Sequence, residues 1–206
     1  MALFIFDLQH LGREGTSREG DFGAAGDLDG DGKKEAWEQE AVLTPRYVAA
    51  VSQRLAVAAD SRHRMLVLNT GSYESRARRA QTLAELYRER GGRRVAYIAC
   101  HLNAGGGRYA AAFYRAGTSS DLAVSLCGSL GRLPGIDQAN PLACSSNSWA
   151  APWSCLRHVS PSIDAVCLEP AFLDTPEHLP LLRGDQAQLG EAILRGLMDW
   201  AGGAHP

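Results

Sequence analysis

Nothing in this 206-residue chain approaches the ~20 consecutive apolar residues needed to span a bilayer, which excludes membrane insertion as its mode of action. Charge of neither sign predominates. The 21 basic and 23 acidic residues leave a net charge of -2 and a pI of about 6.3, so there is no electrostatic footprint for nucleic acid. Arginines do gather at Arg76, Arg78, Arg79 and at Arg88, Arg90, Arg93, Arg94, but Glu85 and Glu89 are interleaved with them, the pattern of a solvated helix face. No internal repeat is present. The five cysteines are odd in number and irregularly spaced, which argues against a disulfide framework. Cys100 and Cys167 fall inside strand-like runs as small core residues, and Cys127 falls in a helical pattern. Only Cys144 and Cys155, which bracket SSNSWAAPWS, are placed to pair. Met1 leads straight into ALFIF, with no basic segment and no small-residue cleavage site. The expectation is a chain made in the cytoplasm without a secretory signal of its own.

What is present is an alternation of two periodicities. Short apolar runs predict strands over Ala2–Phe6, Met65–Asn69, Val95–Cys100, Ala110–Tyr114 and Ile163–Leu168, with a sixth around Cys155–His158. Between them, helical spacing appears over Glu40–Ala59, Ser75–Arg90, Ser119–Leu130 and Gln186–Trp200. Strands alternating with helices predict an α/β fold: one domain over residues 1–206, with a mostly parallel central sheet of five to six strands covered by helices on both faces. The stretch Pro134–Trp153, rich in Pro, Asn, Ser and Ala, reads as an irregular surface excursion.

Three of the strand-like runs end on chemically able residues. ALFIFDLQH closes on His10, VAYIACH on His101 and IDAVCLE on Glu169. In an open α/β sheet the carboxyl ends of parallel strands share one edge, where ligands bind. A further carboxylate, Glu40, opens a helix. Two imidazoles and one Glu are the ligand set of an open catalytic zinc site, and a second Glu is the base such a site needs. Each residue alone has an ordinary reading: a strand-end His is commonly structural, and a helix-initial Glu favours the dipole. The combination reads as a zinc hydrolase.

The segments FDLQH (6–10), EAVL (40–43), YIACHLNA (97–104) and CLEPAFLDTPEH (167–178) resemble the four signature blocks of zinc-dependent N-acetylmuramoyl-L-alanine amidases of the amidase type 3 family, in order and in strand context. Leu8-Gln9 stand where the family has Pro-Gly, Leu102 where it has Ala, and Pro170-Ala171 where it has Thr-Gly. The resemblance implies that His10, Glu40 and His101 ligate Zn2+ and that Glu169 is the catalytic carboxylate. It also implies that the substrate is peptidoglycan, cut between N-acetylmuramic acid and L-alanine. Action at the bacterial cell wall would then depend on an export, phage-lysis or injection system for delivery. Two other classes stay open. One is a different zinc amidohydrolase or carboxypeptidase, for which Arg108 or Arg115 could grip a terminal carboxylate. The other is a non-catalytic wall-binding module on the same fold.

One motif lies outside that pattern. In DLDGDGKKEAWE, Asp27, Asp29, Asp31, Gly32 and Glu38 occupy positions one, three, five, six and twelve of an EF-hand-type loop, with the Lys33 carbonyl at position seven. This predicts Ca2+, against the plainer reading of an acidic solvated loop. Lys34 at position eight and the lack of an entering helix depart from the motif. The loop also separates Glu38 from Glu40. Glu38 would complete the calcium cage, whereas Glu40 is in phase with Leu43, Tyr47 and Val51 and so faces the sheet.

Overall fold

Strand β1 (Ala2–Leu8) is buried along all seven residues, as a central parallel strand covered on both faces must be. The computed structural model describes residues 1–10, 22–58, 62–184 and 186–203. Five further strands build one sheet around β1: β2 (Arg64–Leu68), β3 (Arg94–Cys100), β4 (Tyr109–Arg115), β5 (Gln138–Cys144) and β6 (Asp164–Glu169). Their order is β2-β1-β3-β6-β4-β5. Four of the five pairings are parallel, and only the seam between β4 and β6 is antiparallel. This is the α/β class expected.

Alternation along β1 assigns the two layers. Phe4, Phe6 and Leu8 join a core with α1 (Glu40–Val57), α3 (Asp121–Leu130) and α6 (Ala187–Gly202). Leu3 and Ile5 join the opposite core with α2 (Tyr73–Glu89) and α4 (Ala150–Leu156). A short α5 (Leu179–Leu182) precedes α6. Leu43, Tyr47 and Val51 of α1 are all buried, as their spacing requires. Among the described residues, no helix is long and apolar enough to cross a membrane.

Three expectations are corrected, and the open question of a Cys144–Cys155 pair is answered. The run Cys155–His158 is not a strand: Cys155 and Leu156 end helix α4, whose Pro152 sits in the first turn, where a missing N–H is tolerated. The stretch 134–153 is not irregular, since it contains β5 and the start of α4. β5 lies at the sheet edge beside β4, the position in which Pro141 is compatible with a strand. Cys144 and Cys155 do not bridge, and all five cysteines are free and buried. Arg76 is not on a solvated face; it is wholly buried, with its Nε 2.6 Å from Asp7 Oδ1.

Candidate active site

The sheet register brings the expected residues level. Leu8 pairs with Cys100, and Cys100 with Leu168, so β1, β3 and β6 end at one height. His101 follows Cys100 directly, Glu169 follows Leu168, and His10 lies two residues past Leu8. Beneath His10, a buried network fixes the end of β1. Asp7 is ion-paired to Arg76 and accepts from the Tyr97 hydroxyl and the Gln9 amide, while Arg76 also donates to Gln9 Oε1 at 3.3 Å.

Glu40 reaches this edge from α1. The chain before it is pinned by an antiparallel bridge between Ala25 and Gln39, with Glu40 N–H donating to Ala24 O at 2.8 Å. Gln39 is extended (φ -83°, ψ 147°), and its two neighbours face different surroundings. Glu38 turns into the 27–35 loop and Glu40 turns to the sheet edge. The Glu40 carboxylate accepts from Leu102 N–H at 2.8 Å and from Ala24 N–H at 3.1 Å. Gly23 makes room for it: φ is +71°, and a Cβ there would fall 2.5 Å from Glu40 Oε2. Tyr47, one face down α1, donates its hydroxyl to the His101 carbonyl at 3.4 Å.

Three donor atoms therefore converge. His101 Nδ1 lies 3.0 Å from Glu40 Oε1 and 3.1 Å from His10 Nε2, and His10 Nε2 lies 3.8 Å from Glu40 Oε1. Tetrahedral ligands at ~2.0–2.2 Å from a zinc ion stand about 3.3–3.6 Å from one another, so the spacing fits such an ion. The imidazole rings meet edge to face, 4.8 Å apart at 75°. Burial opposes ionisation of Glu40, but the hydrogen bond and charge of His101 and the charge of His10 outweigh it and hold the carboxyl below its ordinary range.

Glu169, at the end of β6, accepts a 2.5 Å hydrogen bond from Asn103 Nδ2. Burial raises its pKa to about 7, with the Glu40 and Cys155 charges adding to the rise and His101 opposing it. A carboxyl poised near neutrality suits proton transfer. A cleft of about 570 Å³ opens over the cluster, lined by His10, His101, Tyr73, Cys155, Arg157 and His158.

The 27–38 loop is a separate structure. Asp27 accepts from Gly30 and Gly32 N–H at 2.8 and 2.9 Å, Asp29 from Asp31 N–H at 3.2 Å, and Asp31 from Lys33 N–H at 2.8 Å. Glu38 is fully buried and accepts from the Leu28, Asp29 and Glu35 N–H groups. Oxygens of Asp27, Asp29 and Glu38 come within 4.8 Å of one another. Of the two arginines considered for carboxylate binding, Arg108 pairs with Asp137 and Glu177, and Arg115 donates to the Val159 carbonyl. Both guanidinium groups are thus engaged.

Sequence reasoning missed three contacts at the site. Asn103 holds Glu169, Arg76 neutralises Asp7, and Cys155 Sγ lies 3.3 Å from His101 Nε2. Only Asn103 carried a hint, from its position two residues past His101.

No protein-family model matches the sequence, and no curated protein matches it. Solved structures do. The N-acetylmuramoyl-L-alanine amidase from Clostridium difficile 630 superposes with a TM-score of 0.68 at 18% identity, covering 99% of each chain. The catalytic domain of CwlV, an N-acetylmuramoyl-L-alanine amidase from Bacillus (Paenibacillus) polymyxa var. colistinus, gives 0.64 at 16% identity over 98% of this chain and 99% of that one. The N-acetylmuramyl-L-alanine amidase Ami1 from Mycobacterium smegmatis gives 0.64 at 16% identity over 98% and 97%. The chain has the fold of these amidases along essentially its whole length.

Proposed function

We propose that residues 1–206 form one catalytic domain, a zinc-dependent peptidoglycan hydrolase. It cleaves the amide between the lactyl carboxyl of N-acetylmuramic acid and the nitrogen of L-alanine. The observation that carries this reading is the convergence of His10 Nε2, Glu40 Oε1 and His101 Nδ1 at one strand edge of an amidase fold.

These three residues would hold Zn2+, since two imidazoles and one carboxylate are its ordinary donors and leave a fourth position open. When bound, the ion supplies Lewis acidity to the scissile carbonyl and lowers the pKa of water towards ~7. Glu169 takes the proton from the attacking water and returns it to the departing alanyl nitrogen. One C–O bond forms and one C–N bond breaks, releasing a muramic carboxylate and a peptide amine. Asn103 orients Glu169 by donating to Oε2, which leaves Oε1 for the water. Leu102 and Ala24 N–H fix the Glu40 carboxylate so that Oε1 faces both histidines.

The substrate places the activity at the bacterial cell wall, and delivery by an export, phage-lysis or injection system belongs to this proposal. Calcium in the Asp27–Glu38 loop, with Asp27, Asp29, Asp31, Glu38 and the Lys33 carbonyl as its oxygens, is a second and independent part of it. The loop is pinned at its neck by the Ala25–Gln39 bridge, next to Glu40, so an ion there would stiffen the approach to the site.

Digestion of purified sacculi tests the reaction. Mass spectrometry of the products should show stem peptides with a free L-alanyl amine, and Glu169→Ala should abolish them. Release of single carboxyl-terminal amino acids would make the protein a carboxypeptidase instead. No release by a zinc-loaded chain would leave the wall-binding reading.

A further inference from the structure

His101 is flanked on both ring nitrogens. Its Nδ1 faces His10 and Glu40, and its Nε2 lies 3.3 Å from the sulfur of Cys155. Cys155 belongs to α4 and is buried, and its thiol donates back to the Ala151 carbonyl at 3.4 Å. This back-bond is the usual one for a small polar side chain inside a helix. With the S–H so directed, the sulfur lone pairs remain for the imidazole and for the Cys167 thiol, which also hydrogen-bonds to Cys155.

A neutral imidazole that offers a lone pair at one nitrogen carries its proton on the other. If Nδ1 is to bind a metal, Nε2 must be N–H and needs an acceptor. Ligating histidines ordinarily donate this proton to a carboxylate, a backbone carbonyl or water, and loss of the acceptor typically costs about 10–100-fold in metal affinity. Here the sulfur stands in that place. We infer that Cys155 is a positioning residue: by accepting from His101 Nε2–H it selects the tautomer and ring orientation in which Nδ1 is a zinc ligand. The inference rests on the proposed zinc site. It does not require the thiol to touch the substrate or the metal.

Cys167 bears on the alternative. Its sulfur, the Cys155 sulfur and a ring nitrogen of His101 lie within 4.8 Å of one another, a spacing that could itself seat a thiophilic ion. The same thiols would then be ligands rather than supports, and the two roles differ in what serine can replace. A serine hydroxyl accepts a hydrogen bond but is a poor zinc ligand.

The test uses the full chain and zinc competition against a chromophoric chelator. Cys155→Ala should weaken zinc binding about 10–100-fold with the fold retained, and Cys155→Ser should recover affinity to within about threefold of wild type. The wild type loaded with Co2+ should show no sulfur-to-cobalt charge-transfer band. Wild-type affinity in Cys155→Ala, equal weakness in Cys155→Ser, or a charge-transfer band would each overturn the inference. His10→Ala separates this from the underlying reading. Undiminished zinc in that variant removes the metal site itself, whereas zinc lost there but kept in Cys155→Ala removes only the role of Cys155.

Discussion

Glu38 and Glu40 stand on either side of one extended residue and belong to two different kinds of acidic cluster. Glu40 is completed by distant chain: His101, Leu102 and His10 come to it from the ends of β3 and β1. Glu38 is completed by its own loop, accepting three backbone N–H groups from residues within ten positions of it. The first cluster brings two ring nitrogens and a carboxylate oxygen to a common point. The second already uses much of its acceptor capacity on the backbone. Carboxylates held against imidazoles by a rigid sheet are preorganised for an ion, whereas a locally bonded loop can be satisfied without one.

The largest expected effect lies at the strand edge. Glu169→Gln should retain zinc and fold yet lose about 10²–10⁴-fold in turnover on muropeptides, because the amide cannot accept the water proton. Full turnover would mean that the base lies elsewhere. Next in size is zinc affinity in the paired substitutions. Glu40→Gln should deplete bound zinc strongly, as His10→Ala and His101→Ala should, while Glu38→Gln should leave zinc nearly unchanged. Glu38→Gln should instead cost about 1–3 kcal/mol of stability, since its new NH2 group faces buried backbone donors. Equal zinc loss in both variants would erase the distinction between the clusters.

The pH profile gives a smaller and finer effect. Burial, with the Glu40 and Cys155 charges set against that of His101, raises Glu169 to about 7, and a bound cation would bring it lower. The proposed base works ionised, so kcat/KM should rise with pH through an acidic limb lying below 7 and flatten above it. That limb should vanish from the residual rate of Glu169→Gln. Smallest is the response of the loop. Calcium at 100 times its Kd would add about 2.7 kcal/mol to stability, a melting shift of several degrees for a chain of this size. Asp29→Ala should abolish the shift. A melting curve indifferent to millimolar calcium would leave an ordinary acidic loop.

The legible parts of the molecule were those in which local pattern and tertiary role coincide. His10, His101 and Glu169 each terminate a buried apolar run, and register in a parallel sheet brings such ends together. Glu40 was separable from Glu38 because Leu43, Tyr47 and Val51 report the helix phase. Elsewhere pattern and role part. β5 is an edge strand that tolerates Pro141 and polar residues, so QANPLAC resembles a loop. α4 is only seven residues long and contains Pro152, too short for a period to show. Its misreading hid Cys155 from the site. Arg76 looked solvated among other arginines, and only the fold brings it to Asp7.

Gly23 carries these relations into mutational space. It offers no side chain, yet its φ is positive and a Cβ there would fall 2.5 Å from Glu40 Oε2 and 2.8 Å from Glu40 Cβ, so any side chain must displace Glu40. A saturation library scored by zinc retention should therefore rank position 23 beside His10 and His101. The intolerance would mark a place where the site depends on a side chain being absent, which a search for reactive side chains would pass over.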